Sequence, residues 1–286
     1  MGSVQFGLRY GLTNRCGKVS LEAASQIINL ARAHRVDTID TAIAYGDSES
    51  CLGAVGVEDF RVVTKIPGIP EFVERTRIGA WLTREVEASL ARLRIPRLYG
   101  LLLHRPEDLN SSRGDELYKE LVLLRSAGYV ERIGVSVYGP DELQSLPSHF
   151  QFGLVQAPFN VLDRRIVTSG AVARLKDQGT EIHIRSVLLQ GLLAMPLIDI
   201  PPAFHQWIEL FEDWNAWLRA ERVGPVAAAV SFAVAASGAD RIVVGVDSVD
   251  QLREILSAAC SPSVLPPASL QSEDPDLINP SRWRLT

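Results

Sequence analysis

Residues 36–49, VDTIDTAIAYGDSE, join a short apolar strand to a polar loop, and this stretch decides the fold. Its β-branched and apolar residues predict a buried strand that ends at Asp40, with Tyr45 on the loop beyond it. A carboxylate and a phenol are poor core residues, because each needs a partner once water is removed. Two later apolar runs, in RVVTKIP and LLLHRPED, end at Lys65 and His104. We therefore expect Asp40, Tyr45, Lys65 and His104 to meet at one site.

Outward from this stretch, predicted strands and helices alternate along the chain. Strands are predicted at 1–6, 36–40, 60–65, 98–104, 130–136, 152–157, 181–187 and 241–245. Helices are predicted at 19–35, 48–56, 76–94, 114–127, 140–146, 164–178, 204–222, 225–237 and 248–259. This alternation calls for parallel strands with right-handed crossovers, and eight such units fit a (β/α)8 TIM barrel. The alternative, an open doubly wound sheet, needs a glycine-rich turn after its first strand, which GSVQFG does not provide.

Composition narrows the possible partners of the chain. The 286 residues are 47% hydrophobic and 22% charged, with a net charge of −5 and no basic cluster, which argues against nucleic acid or an anionic membrane as partner. Three scattered cysteines have no metal or redox spacing, and no signal-peptide pattern is visible, so we expect a soluble cytoplasmic protein. The uncharged run 223–239 is shorter than the roughly 20 residues of a spanning helix. We predict a barrel over residues 1–260 and a Pro-rich tail over 261–286 that packs on it.

The four converging side chains suit carbonyl chemistry. A free Tyr has a pKa of about 10, and an adjacent ammonium, held in place by Asp40, favours the phenolate of Tyr45. Tyr45 can then exchange a proton with a carbonyl or alcohol oxygen, which neutral His104 orients. No obvious nucleophile or metal-ligand set is present, so hydride from a nicotinamide cofactor suits the reaction. Taken singly, Asp40, Tyr45 and His104 each have a structural interpretation, but four such residues at successive strand ends favour the catalytic one.

These motifs resemble those of the aldo-keto reductase superfamily over residues 2–257. DTAIAYGDSE is similar to that family's Asp-Thr-Ala…Tyr-Gly motif, VVTKIP to its lysine strand and LLLHRPED to its histidine strand. The resemblance implies a (β/α)8 barrel that binds NAD(P)H across its mouth and reduces an aldehyde, ketone or sugar carbonyl. It also implies that Tyr45 is the acid/base, that Lys65 and Asp40 tune it, and that His104 orients the carbonyl.

The resemblance implies a cofactor site as well. GVSVY is similar to the family's carboxamide-binding motif, IRSVLLQGLL to the segment under the nicotinamide and pyrophosphate, and VVGVDSVDQLREI to the adenosine-phosphate segment. These matches imply cofactor contacts from Ser136, Gln156, Arg185, Ser186, Leu188, Gln190, Gly245, Ser248, Gln251 and Glu254. Arg185 stands where the family commonly stacks an aromatic ring on the nicotinamide, a role open to a planar guanidinium.

Several positions depart from the family pattern. Val137 and Ile255 replace two hydrogen-bonding Asn residues, and no Lys or Arg falls at the usual contacts to the 2′-phosphate. NADPH is the cofactor that the resemblance implies, with NADH as the alternative. Relatives usually have several residues before the Gly-Thr pair that matches Gly2 and Ser3, so a shortened first strand is expected.

The substrate pocket and the function class are less well defined by the sequence. Pocket walls are expected from loops 105–113 and 189–207 and from the tail, and the candidate aromatic residues are Tyr10, Phe159, Trp207 and Trp283. Either Trp is equally open to a core interpretation, which the amphipathic helix favours for Trp207. We expect a small carbonyl compound as partner; its identity and the oligomeric state stay open. Two alternatives also stay open: a cofactor-binding regulatory or sensor protein with little turnover, and a lyase or isomerase that uses Lys65 as a Schiff base.

Overall fold

A computed structural model describes residues 1–283. Within them, seven parallel strands form one curled sheet in chain order. The strands are β1 Thr38–Asp40, β2 Arg61–Ile66, β3 Leu98–Leu103, β4 Val130–Ser136, β5 Leu154–Pro158, β6 Glu181–Arg185 and β7 Arg241–Ile242. The helices are α1 Val4–Gly7, α2 Leu21–Ala33, α3 Ser48–Val55, α4 Ile78–Leu93, α5 Gly114–Ser126, α6 Pro140–Ser145, α7 Arg165–Thr168, α8 Ala171–Asp177, α9 Ile208–Glu221, α10 Pro225–Ala236, α11 Val249–Ala259 and α12 Pro275–Ile278. The alternation is that of a (β/α)8 barrel, as predicted.

The shortened first strand is confirmed, but the strand predicted at 1–6 is wrong in its extent. Gly2 alone bridges Asp40 on one side and Gly245 on the other, both in parallel, and so joins the two edges of the curled sheet. The amide of Gly2 donates to the carbonyl of Val244 at 2.9 Å, and the amide of Ser3 donates to the carbonyl of Asp40 at 3.0 Å. The backbone then turns into α1, so only this short stretch lies in strand geometry.

Two other predicted elements differ because the backbone turns locally. The helix predicted at 164–178 is two helices, α7 and α8, separated at Gly170, whose φ of +73° is left-handed. The strand predicted at 181–187 ends at Arg185, because Ser186 has a φ of +61°. A left-handed residue cannot continue either element, since both regular structures need negative φ.

The main core lies between the sheet and its helices. Amphipathic α4 shows how the sequence builds it: Ile78, Leu82 and Val86 recur at helical spacing and are fully buried. Burial of each such side chain contributes roughly 1.5–3 kcal/mol. The uncharged α10 buries its central turns, as predicted for a core helix. No helix in the described part of the chain is both long and apolar enough to span a membrane.

The segment after α11 contacts the rest of the chain through residue 283. Leu270, Leu277 and Ile278 are buried, and the amide of Ser272 donates to the carbonyl of Leu162 at 2.8 Å. The division of the chain at residue 260 stays a prediction, and residues 284–286 of the predicted tail lie outside the described residues.

Candidate active site

A buried ion pair lies where β1 and β2 end. The parallel register pairs Asp40 with Val63, two positions before Lys65. The Lys65 ammonium is 2.7 Å from Asp40 Oδ2 and also donates to the carbonyl of Thr41 at 2.8 Å. The other carboxylate oxygen of Asp40 accepts a hydrogen bond of 2.6 Å from the amide of Gln156, which comes from β5. Side chains from three strands are thus joined at one end of the barrel.

The ion pair keeps Lys65 charged in spite of its burial. The Lys65 side chain is 1% exposed, and burial alone would disfavour its charge. The negative charge of Asp40 outweighs this effect, so the pKa of Lys65 is raised above its ordinary value. A permanent positive charge therefore lies behind the loop that carries Tyr45.

Tyr45 and His104 lie beside this ion pair, as predicted. Their rings meet edge to face, with centroids 5.9 Å apart and an interplanar angle of 78°. The Lys65 ammonium lies 5.0 Å from the centroid of the Tyr45 ring. The Lys65 ammonium does not donate to the Tyr45 hydroxyl: among the described residues, it donates to Asp40 and to the carbonyl of Thr41. The four residues converge, but the positive charge lies against the phenol ring rather than on its oxygen.

Two glycines fix the position of the Tyr45 loop. A Cβ at Gly7, in α1, would come within 1.7 Å of the carbonyl oxygen of Tyr45. Gly46 has a φ of +55°, and a Cβ there would lie 2.8 Å from the carbonyl oxygen of Gly7. Only residues without a side chain allow this close approach. Helix α1 therefore packs directly against the loop that carries Tyr45.

His104 is held neutral by its surroundings. Burial, followed by the positive charges of Lys65 and Arg185, lowers the pKa of His104 from 6.5 to about 4. At neutral pH its imidazole therefore has one donor and one acceptor nitrogen. In the described part of the chain neither the His104 ring nor the Tyr45 hydroxyl has a hydrogen-bond partner, so both are free to meet a ligand.

One cavity of about 580 Å³ contains the predicted site. All four predicted catalytic residues line it, and so do all the predicted cofactor contacts except Ser248. The contacts in the wall are Ser136, Gln156, Arg185, Ser186, Leu188, Gln190, Gly245, Gln251 and Glu254. Ser248 is instead the N-cap of α11, where its hydroxyl accepts from the amide of Gln251 at 3.3 Å. Its predicted cofactor role is not supported by this placement.

Comparison with known proteins gives the same family as the motifs. A family model described as "Aldo/keto reductase family" matches residues 1–269. The chain belongs to the aldo/keto reductase family. It is also similar to the oxidoreductase sirO of Leptosphaeria maculans, at 26% identity over 200 residues, which are 67% of this chain and 59% of that protein. That match spans less than two thirds of the relative's own length.

Solved structures of aldo-keto reductases share the fold. An aldo-keto reductase of Bacillus halodurans in its holo form matches with a TM-score of 0.72 and 18% identity, over 92% of this chain and 87% of that one. A glycerol dehydrogenase of Gluconobacter oxydans matches with a TM-score of 0.68 and 20% identity, over 92% of this chain and 86% of that one. At such identities the likeness concerns the fold alone.

Arg185 has three contacts that fix its guanidinium in the cavity wall. The guanidinium carbon lies 4.4 Å from the centroid of the Tyr138 ring. One terminal nitrogen donates to the carbonyl of Val137, and the other donates to the hydroxyl of Ser186, each at 3.0 Å. Tyr138 was missed by the sequence prediction, although its position directly after the GVSV motif was a usable signal. In this member of the family the Arg185 guanidinium thus lies over the Tyr138 ring at the end of β6.

The turn after β6 crosses the cavity in an unusual conformation. Ser186, Leu189 and Gln190 all have positive φ, between 47° and 61°. The carbonyl of Gln190 accepts from the amide of Leu12 at 2.9 Å, so the turn is bonded to the loop that follows α1. Non-glycine residues with positive φ concentrate at ligand sites, where surrounding contacts impose the strain.

Gln5 is a second residue that the sequence prediction missed. It lines the cavity, and its Oε1 is buried with no hydrogen-bond partner in the described part of the chain. A buried acceptor without a partner is costly, so this atom is available to a ligand donor. A dinucleotide carries such donors on its carboxamide and ribose hydroxyls, and the polar and apolar walls of the cavity fit one. The wrong assignment of residues 1–6 to a strand hid this position.

The predicted aromatic walls are mostly wrong. Tyr10 does line the cavity, and 39% of its surface is exposed. Phe159 is instead buried in the core, where its ring stacks on Phe232 at 5.2 Å. Trp207 and Trp283 line a different cavity of about 670 Å³. Trp residues in amphipathic or tail segments pack on whichever apolar surface is close, and the sequence does not show which.

Proposed function

We propose that this aldo/keto reductase uses NAD(P)H to reduce an aldehyde, ketone or sugar carbonyl to the alcohol. The observation that carries the proposal is the convergence of Tyr45, His104 and the Lys65–Asp40 pair in one cavity. A phenol without a protein partner, a neutral imidazole and a buried cation are the groups that a carbonyl oxygen needs as it becomes an alcohol.

In this proposal Tyr45 supplies the proton. As its phenol gives the proton to the substrate oxygen, negative charge develops on the ring oxygen. The Lys65 ammonium, 5.0 Å from the ring centroid, stabilises that charge. Asp40 holds the ammonium in place and balances its charge when the phenol is neutral. Positioned proton transfer of this kind contributes typically 10²–10⁴-fold to rate.

His104 has the orienting role. Because its pKa is lowered to about 4, it is neutral at pH 7 and does not compete with Tyr45 as the acid. Its ring N–H can donate to the substrate oxygen, and its edge-to-face contact with Tyr45 would allow both groups to reach the same oxygen.

The cofactor site is assigned by the residues of the same cavity. A bound reduced nicotinamide supplies the hydride. Ser136 and Gln156 would hold its carboxamide, since their side chains lie 3.4 Å apart beside Asp40. Arg185 would lie against the ring, and Gln190 in the turn after β6 along the phosphates. The side-chain oxygen of Gln5, which has no partner in the described part of the chain, would accept from a ribose or amide donor of the cofactor.

A screen of carbonyl compounds tests the proposal. The purified protein is mixed with small aldehydes, ketones and aldoses, with NADH and NADPH in separate reactions, and the loss of reduced-nicotinamide absorbance is followed over many turnovers. Turnover that is lost in Tyr45→Phe supports a reductase. Tight cofactor binding without turnover of any compound would instead favour the sensor alternative.

The Schiff-base alternative is disfavoured by the state of Lys65. A lysine nucleophile needs a lowered pKa to expose its free amine. Here the pKa of Lys65 is raised by Asp40, and the ammonium donates to two oxygens. Borohydride trapping of a carbonyl compound on Lys65 would revive that alternative.

A further inference from the structure

The segment after β7 gives the cavity an acidic wall. We name the β7 wall from its cavity-lining residues, which are Val243, Val244, Gly245, Asp247, Gln251, Glu254 and Ile255. Its two charged residues, Asp247 and Glu254, form no ion pair with any Lys, Arg or His that the structure describes. Asp247 is half-buried, and burial raises the pKa of its carboxyl group, the direction expected where no cation compensates the charge.

The basic side chains of the cavity lie elsewhere and already have partners. Of the described residues, Lys65 and Arg185 are the only Lys or Arg that line it. Lys65 is bonded to Asp40, and Arg185 to the carbonyl of Val137. Arg253, the nearest arginine in sequence to the β7 wall, does not line the cavity and pairs with Asp250 at 2.8 Å on the exposed face of α11. Among residues 1–283, no Lys or Arg that lines the cavity is therefore free to face Asp247.

The reaction geometry decides which part of a dinucleotide meets this wall. The nicotinamide must lie beside Tyr45 to react, so the remainder of the molecule occupies the other walls of the cavity. Ile255, Pro225 and Val226 offer apolar surface there, which suits an adenine base. The adenosine ribose then lies near the polar residues of the β7 wall.

NADH and NADPH differ at that ribose, and the acidic wall distinguishes them. The 2′-phosphate of NADPH carries a charge of about −1.5 to −2 at pH 7 and needs Lys or Arg partners. The free 2′-hydroxyl of NADH is a hydrogen-bond donor, which a carboxylate accepts. The two carboxylates of the β7 wall, which form no ion pair, thus attract the ribose hydroxyls of NADH and repel the 2′-phosphate of NADPH.

We propose that the cavity selects NADH over NADPH and that Asp247 is the residue that decides this. The proposal rests on the proposed function, because it assumes that the cavity binds a nicotinamide dinucleotide. The family resemblance implied NADPH as the cofactor, whereas this proposal favours NADH. Gln251 holds Asp247 in place, since its side-chain oxygen accepts from the amide of Asp247 at 3.0 Å.

Calorimetric titration of the full-length protein with NADH and with NADPH is the test. We expect NADH to bind at least about tenfold more tightly, which corresponds to about 1.4 kcal/mol. We also expect the difference between the NADH and NADPH affinities to narrow as salt rises from about 0.01 M to 0.5 M, because salt screens the repulsion between the 2′-phosphate and the carboxylates. Equal affinities, or tighter binding of NADPH, overturn this inference alone. Failure to bind either dinucleotide overturns the proposed function together with it.

Two matched variants separate the local effect from the overall charge. Asp247→Asn should narrow the ratio between the two affinities, and Asp247→Arg should reverse it. Asp213→Asn and Asp213→Arg change the charge equally, on the exposed face of α9 and outside the cavity. They should leave the ratio within about twofold of the wild type. A ratio that moves as far in the Asp213 variants as in the Asp247 variants shows that no local contact selects the cofactor.

Discussion

The two ends of the barrel each hold an ionic network beside a cavity, and the larger cavity is at the end without the proposed site. At the C-terminal ends of the strands, Lys65 and Asp40 lie under a cavity of about 580 Å³. At the N-terminal ends, Glu181 contacts Arg132 at 3.2 Å and His183 at 2.9 Å, beside a cavity of about 870 Å³. Size and charge alone would favour the end without the proposed site.

The two ends of the barrel differ in how a tyrosine hydroxyl is hydrogen-bonded. The Tyr99 hydroxyl, at the N-terminal end, donates to Glu181 and accepts from Arg132 Nε at 3.0 Å. The Tyr45 hydroxyl, at the C-terminal end, has no protein partner in the described part of the chain, although a buried cation lies beside its ring. A polar group that folding leaves unpaired beside a charge is available for chemistry, whereas one with two partners stabilises the fold.

Removal of the hydroxyl group from Tyr45 and from Tyr99 tests this comparison with the largest expected effect. Tyr45→Phe should lower kcat for carbonyl reduction by roughly 10²–10⁴-fold, because the proton donor is lost. The Kd for NAD(P)H should change little, since the ring stays in place. Tyr99→Phe is the matched control: it should leave kcat unchanged and lower stability by about 1–2 kcal/mol, because Glu181 and Arg132 each lose a hydrogen bond.

Stopped-flow absorbance and urea unfolding of the two variants give both readouts. If Tyr45→Phe keeps the wild-type kcat, another group is the acid and the proposed mechanism is wrong. A large loss of kcat in Tyr99→Phe would mean that the N-terminal network affects the chemistry through the barrel.

Loss of one cation from each network should affect stability unequally. Lys65→Met leaves the Asp40 carboxylate buried beside a methyl group, and breaking such a buried pair costs roughly 3–5 kcal/mol. The Arg132 side chain is 34% exposed, so water replaces much of its interaction with Glu181 and Arg132→Met should cost about 1 kcal/mol. Urea unfolding at pH 7 measures both. Equal losses would contradict the difference in burial on which the comparison rests.

The buried ion pair of the proposed site was predictable because each of its two charges needs a partner that only another strand end supplies. Asp40 and Lys65 could not be buried apart, so the ion pair between them follows from the sequence pattern alone. The same argument fails for uncharged or exposed side chains. Trp207 and Trp283 satisfy their ring N–H groups on Asp274 and on the carbonyl of Leu277, contacts that no periodicity shows.

Backbone turns account for the other failures. A strand was predicted at 1–6, but the chain is helical from Val4, and Gly7 at the end of this helix packs against the Tyr45 loop. That packing also turns Gln5 towards the cavity. Likewise, the position of Arg185 against Tyr138 depends on where β6 ends, which Ser186 sets by its positive φ. Such features arise from contacts between distant segments.

As the pH falls, the contributions of His104 and Glu181 to the free energy of unfolding should be lost in different pH ranges. His104 has a folded pKa of about 4 against 6.5 when unperturbed, so the unfolded chain binds its proton first. Its contribution is complete above pH 6.5 and is lost as the pH falls towards 4. Burial opposes the charge of Glu181, but hydrogen bonds from His183 and Tyr99 lower its pKa from 4.5 to about 2. The contribution of Glu181 to stability is complete above pH 4.5 and is lost as the pH falls towards 2.

Urea unfolding at a series of pH values resolves these windows. Each group should contribute on the order of 2 kcal/mol. His104→Gln should flatten the fall in the free energy of unfolding between pH 6.5 and 4, and Glu181→Gln should flatten it below pH 4.5. An unchanged slope in both variants would show that other groups control the acid response.

The smallest effect concerns Arg185, which brings a charge beside the site where relatives of the family commonly have a neutral ring. The oxidised nicotinamide is cationic and the reduced one is neutral, so a guanidinium held by Val137 and Tyr138 should favour the reduced form. Two unit charges 4 Å apart repel by about 4 kcal/mol at an effective dielectric of 20, and the negative charge of Asp40 and solvent reduce this further. We expect the reduced cofactor to bind about fivefold more tightly than the oxidised one, near 1 kcal/mol. Arg185→Phe should remove most of that gap while it keeps a planar group in place, as calorimetry with both redox forms would show. An unchanged gap would mean that the guanidinium does not face the ring, and that Arg185 serves only to join β6 to the backbone after β4.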